Sequence, residues 1–197
     1  MKNVCVIVVN WNGRKYLENC IAGLRKQTFK HFTIAVVDNG STDGSCAYLN
    51  QHCPDVVLHK LTKNYGFSFA NNYAIRRSQS EFIALLNNDA IPQIHWLENL
   101  MRAMQQFSHA GSAASKMLFY HDPQQIDRAG DAYTQSGTGL LRGRGEPTHK
   151  YSQRELIFGA CAGAALYRRA MLNKIGLFDE DFFLDRKSTR LNSSHYS

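Results

Sequence analysis

Val4-Cys5-Val6-Ile7-Val8-Val9-Asn10 decides the fold: six apolar residues in unbroken succession, closed by an amide. A strand with one face in water alternates apolar and polar side chains, whereas one apolar throughout has to be covered on both faces. The run is short for a helix and rich in β-branched valine, so it reads as a buried strand. Phe32–Asp38 (FTIAVVD) repeats the pattern and again ends on a polar residue. Between the two, Arg14–Lys26 sets Tyr16, Leu17, Cys20, Ile21 and Leu24 on one helical stripe.

Further along, Val56–Lys60 is a short third strand, Phe67–Ser78 a helix and Glu81–Leu86 (EFIALL) a fourth strand. Pro92 is expected in the first turn of the next helix, which runs to about Phe107. This alternation implies an α/β fold, a mostly parallel central sheet with helices on both faces. Ser112–Tyr120 reads as another strand. Asp122–Ser152 then loses periodicity and becomes an excursion of loops and short strands, with Arg128, Arg142, Arg144 and Lys150 in it and Arg154 just beyond. Those side chains suit either a solvated loop or an anionic surface, such as an acceptor phosphate or a lipid headgroup. Order returns with Glu155–Arg168 and a helix over Arg169–Ile175. No internal repeat is visible.

The bulk numbers exclude several classes. A chain of 197 residues, 44% hydrophobic and 20% charged, is about one domain with a substantial core. Its net charge of +7 favours an anionic partner. The basic residues are not interleaved with exposed aromatics as in a nucleic-acid module, so nucleic acid is not expected. No run reaches the roughly 18 apolar residues of a membrane-spanning helix, and Val4–Val9 is too short for a signal-peptide core, so a cytoplasmic protein is expected. The five cysteines are scattered with no C-x-x-C pair, and the eight histidines have no metal-ligand spacing. The last stretch, Asp185–Ser197 (DRKSTRLNSSHYS), is polar and follows abruptly on Phe182-Phe183-Leu184. It reads as a non-native tail, an adaptor sequence translated in frame, leaving a domain over residues 1–184 that is incomplete at its C-terminus.

In an open α/β sheet, ligands bind beyond the carboxyl ends of the strands. Three such ends are polar in the same way: Asn10-Trp11-Asn12-Gly13, Asp38-Asn39-Gly40-Ser41 and Asn87-Asn88-Asp89. Short amides and carboxylates there can bond a base and ribose. The loop after the first strand lacks G-x-G-x-x-G, and no G-x-x-x-x-G-K-[ST] loop occurs, so the usual phosphate cradles are missing. A diphosphate held without them needs a hard cation, Mg²⁺ or Mn²⁺, and Asp89 is the carboxylate placed to ligate it.

Five segments in order, VVNWNG (Val8–Gly13), VVDNGSTDGS (Val36–Ser45), NYGFSFANN (Asn64–Asn72), LLNNDA (Leu85–Ala90) and GLFDEDFFL (Gly176–Leu184), resemble family 2 glycosyltransferases. The resemblance is nearest to the rhamnosyltransferase-like enzymes of bacterial cell-surface polysaccharide synthesis. It implies a GT-A fold and inverting transfer from a nucleotide-sugar donor to a saccharide or lipid-linked acceptor, with possible peripheral contact at the inner face of the membrane. Carried over, Asp38 bonds the base with Asn10, Asn12 and Asn39 nearby, and Asn64 and Gly66 shape the adjoining loop. Asn87-Asn88-Asp89 takes the place of the family's D-x-D motif, with Asp89 as metal ligand and Asn87 departing from the acidic form. The family's general base lies in an acidic pair beyond Leu184, so no catalytic residue is assigned and little transfer is expected from this chain. A nucleotidyltransferase and a non-catalytic nucleotide-binding module are the alternatives. The first calls for a Gly-rich basic loop after strand one, which Asn10-Trp11-Asn12-Gly13 is not.

Four features also have plain readings. Trp11 could pack at the strand end or meet a base. Asn39-Gly40 and Asp43-Gly44 form turns wherever they occur. Asn71 and Asn72 could face solvent from a helix, and Phe178, Phe182 and Phe183 read as core.

Overall fold

The structure, a computed structural model, describes residues 3–183. Leu184 and the Asp185–Ser197 tail lie outside the described residues, and with them the positions beyond Leu184 where the family's base is expected. β1 (Val4–Asn10), β2 (Phe32–Asp38), β3 (Val57–Lys60) and β4 (Phe82–Asn87) alternate with α1 (Arg14–Arg25), α2 (Ser45–His52) and α3 (Phe67–Arg77). α4 (Trp96–Gln106) and β5 (Ser112–Ala114) follow. The excursion holds β6 (Met117–Leu118), β7 (Ile126–Arg128), β8 (Asp131–Tyr133), β9 (Gly139–Leu141) and a 3₁₀ turn at Thr148–Tyr151. β10 (Ala164–Arg168) runs directly into α5 (Arg169–Ile175).

The main sheet has six strands in the order β3-β2-β1-β4-β10-β5. β3, β2, β1 and β4 are mutually parallel, and β10 runs antiparallel between β4 and β5. The unbroken apolar run of β1 is explained by the two cores it feeds. Val4, Val6 and Val8 enter one with Leu17 and Leu24 of α1 and Leu97 of α4. Cys5 and Ile7 enter the other with Ala70 and Ile75 of α3 and Leu172 of α5. Each buried aliphatic side chain contributes on the order of 1.5–3 kcal/mol.

Local expectations need revision at several places. Tyr16 sits on the α1 stripe but is 42% exposed. Ser112–Tyr120 is not one strand but β5 and β6, which belong to different sheets. Most of Glu155–Arg168 is loop, and only its last five residues form β10. Pro92 does not open α4. It packs on Gly23 of α1, and the helix starts at Trp96. The start is dictated from a distance by buried Gln27. Its Oε1 accepts the Leu97 N–H at 2.9 Å, while its Nε2 donates to the Gly23 and Gln93 carbonyls at 3.1 and 2.8 Å. No helix among the described residues is long and apolar enough to cross a membrane.

Candidate functional site

The chain leaves β1 toward β2 and β3 on one side and returns with β4 on the other, so strand order reverses between β1 and β4. Beyond the strand ends at such a switch point is where open α/β sheets bind their ligands. Asn10 faces Asp38 in register across β1 and β2, and Val9 faces Asn87 across β1 and β4. The three polar strand ends therefore meet on one rim, as their positions in the sequence require.

Asn10 joins them. It is fully buried; its Nδ2 donates to Asp38 Oδ2 at 3.0 Å and to Ser41 Oγ at 3.2 Å, and its Oδ1 accepts from Asn88 Nδ2 at 2.8 Å. Gly13 makes that last bond possible, because a Cβ there would lie 2.0 Å from Asn88 Nδ2. Asp38 is buried too and accepts the Ser41 N–H at 2.9 Å. Its carboxylate also bonds the Cys46 thiol, so it has partners on three sides.

A second knot adjoins the first. Asn39 Nδ2 donates to Asn64 Oδ1 at 2.8 Å and to the Gly66 carbonyl at 3.1 Å, while its Oδ1 accepts the Tyr65 N–H at 2.9 Å. Asn64 Oδ1 also accepts the Gly66 N–H at 2.9 Å. Asn39 and Asn64 thus fasten the loop before α3 to the end of β2. Asn12 has a positive φ of 49° and ties the two loops above: its N–H donates to Ser41 Oγ at 2.9 Å, and its Oδ1 accepts the Thr42 N–H at 2.8 Å.

The Asn87-Asn88-Asp89 turn stands opposite. The Asn87 N–H donates to the Gly163 carbonyl at 2.9 Å, so the loop entering antiparallel β10 reaches the same rim. Asp89 is exposed. Burial, and then the Asp89 charge, push the Cys20 thiol up to about 12; it stays protonated and donates to the Asn87 carbonyl at 3.6 Å. Among the described residues no three His, Cys, Asp or Glu side chains gather to hold a metal. One exposed carboxylate beside two amides fits a hard cation that takes its other ligands from phosphate and water.

Several other residues are resolved by their surroundings. Trp11 does not pack into the core; it stands 52% exposed on the rim. Asn71 and Asn72 do not face solvent, and both are buried in the protein. Phe178 is core, as expected, whereas Phe183 is 48% exposed. The basic excursion is largely neutralised by nearby carboxylates: Arg144 pairs with Asp127 at 2.9 Å, Lys150 with Glu146 at 3.2 Å, and Arg142 with Glu155 at 2.5 Å. Two contributors, both inside the VVDNGSTDGS segment, received no role of their own from the sequence. Ser41 bridges Asn10 and Asn12. Asp43 receives the Arg14 N–H at 2.8 Å, capping α1 from the loop after β2.

A mostly parallel sheet with polar, amide-rich strand ends gathered at its switch point has the architecture of the GT-A fold. The chain belongs to glycosyl transferase family 2, whose model matches residues 5–176. It is 30% identical over 128 residues to the putative teichuronic acid biosynthesis glycosyltransferase TuaG of Bacillus subtilis, covering 64% of this chain and 51% of TuaG. With glycosyltransferase GlyG of Streptococcus pneumoniae it shares 34% over 107 residues, 52% of this chain and 35% of GlyG. The chain thus spans about half the length, or less, of these relatives. The fold is shared with S. aureus TarS 1-349 (TM-score 0.66, 22% identity, 95% of this chain and 53% of that one). It is shared too with the mannosyltransferase PcManGT of Pyrobaculum calidifontis, solved with GDP-Man and Mn2+ (TM-score 0.65, 21% identity, 91% and 48%).

Proposed function

We propose that the chain forms the donor site of an inverting glycosyltransferase, binding a nucleoside-diphosphate sugar at the switch point between β1 and β4. The observation that carries this is the Asp38–Asn10–Asn88 chain of hydrogen bonds, which links the base-binding carboxylate to the turn bearing Asp89. Solved TarS with UDP and with UDP-GlcNAc, and PcManGT with GDP-Man and Mn2+, support a nucleotide-linked donor for this fold.

In this reading buried Asp38 accepts an N–H of the base. Asn10 and Asn39 act through the loops they fasten, Asn12 borders the base, and Asn64 and Gly66 border the nucleotide. Asp89 holds Mg²⁺ or Mn²⁺ against the diphosphate, with Asn87 and Asn88 as polar neighbours. A cation there supplies Lewis-acid neutralisation of charge on the leaving group. The acceptor is a saccharide or a lipid-linked saccharide, of the kind used in cell-surface polysaccharide synthesis.

Calorimetric titration of UDP-, GDP- and dTDP-linked sugars with and without Mn²⁺ tests donor class and metal together. One of them should bind, and more tightly with the cation. Asp89→Ala should abolish the cation-dependent gain and leave metal-free binding intact, whereas Asp38→Ala should weaken binding under both conditions. Absence of binding by every nucleotide would refute the reading.

A further inference from the structure

Resting on that donor reading, we infer that Asn72 is a positioning residue, which holds the donor-facing loop Asn64–Gly66 through the segment after α5. Asn72 lies on α3, away from the rim, and its buried amide is used at both ends. Nδ2 donates to the Phe178 carbonyl at 2.7 Å and to Glu180 Oε1 at 2.8 Å, and Oδ1 accepts the Phe178 N–H at 3.1 Å. Arg76, one turn on, pairs with the same Glu180 oxygen at 2.9 Å. The segment 178–180 is thereby fastened along α3.

Its far end reaches the donor loop. The Phe183 carbonyl accepts the Phe67 N–H at 3.0 Å, at the start of α3. Gly66 adopts a φ of +90°, and a Cβ there would lie 2.5 Å from the Phe183 carbonyl oxygen and 2.9 Å from its Cα. The contact therefore requires glycine, and the peptide it presses on is the one held by Asn39 and Asn64. Asn72, the 178–183 segment, Gly66 and Asn39 form a continuous chain of packed and hydrogen-bonded groups ending at Asp38. Loosening its first member frees Phe183 from Gly66, and the loop then has to be ordered by the nucleotide itself, which weakens binding.

The test uses Asn72→Ala in the full chain, with UDP or whichever nucleoside diphosphate the wild type binds. Well below the melting temperature, the dissociation constant should rise by about tenfold, within the range of such couplings. A purely structural residue would lower the melting temperature and leave the affinity of the folded protein unchanged. Amide exchange without ligand supplies a second readout: the Phe67 N–H should exchange faster, while those of Ile83 and Leu85 in β4 keep their protection. Asn72→Asp places a second carboxylate against Glu180 and should weaken binding as well. Adding Glu180→Gln restores a donor between the two positions and should recover part of the loss. Unchanged affinity in Asn72→Ala, or unchanged Phe67 exchange, overturns the proposal. If the wild type binds no nucleotide, the donor reading falls, and the exchange measurement still decides whether Asn72 holds the loop.

Discussion

Asn10 carries three hydrogen bonds in a place no water reaches, and it is bonded to the Asp38 carboxylate and the Asn88 amide at once. Removing it strands polar atoms whose desolvation is no longer offset, at about 1–3 kcal/mol. Asn10→Ala is therefore expected to lose about that much stability in urea denaturation and to bind nucleotide more weakly than the wild type. Asp43 gives a pH-dependent case. Burial pushes its carboxyl up, but the Ser45 hydroxyl and the N–H groups of Arg14 and Ser45 outweigh this and hold it below the usual range. A carboxyl depressed in the folded state stabilises the fold above its unfolded pKa of about 3.9, and that contribution is lost as pH falls through the folded value. The melting temperature of the wild type should exceed that of Asp43→Asn at pH 7, with the gap closing below about pH 4. Which residues meet at the rim was readable from the strand ends alone. What they do to one another was not: Ser41 and Asp43 look like any turn residues until the loops after β1 and β2 are set side by side.

Elements were legible where one sequence pattern implies one environment. The runs of β1, β2 and β4 are apolar on both faces because a central parallel strand has two cores to fill, and their bounds hold to within a residue or two. The start of α4 was hidden because its cap is remote. Pro92 is a sound local signal for a first turn, yet Gln27, seventy positions before Leu97 in the chain, satisfies the helix N–H instead. Gln27→Ala should cost about 1–3 kcal/mol in chemical denaturation and should speed exchange of the Leu97 amide ahead of its neighbours. The orientation of β10 was equally invisible. Ala164–Arg168 is apolar enough for either direction, and only its pairing with β4 and β5 shows that it returns antiparallel.

For the whole molecule, that returning strand has an outcome in biosynthesis. β4 is finished at Asn87, but its second neighbour, β10, begins at Ala164. While the ribosome adds the intervening residues, Phe-Ile-Ala-Leu-Leu presents an open row of backbone donors and acceptors, and such an edge recruits other chains. A chain ending at Glu155 should therefore collect in the insoluble fraction on expression, whereas one ending at Phe183 should stay soluble; equal solubility of the two would count against the idea. The strand that delivers Gly163 to the rim is also the one that closes this edge. The nascent protein can thus complete its polar rim only as it escapes the hazard of aggregation.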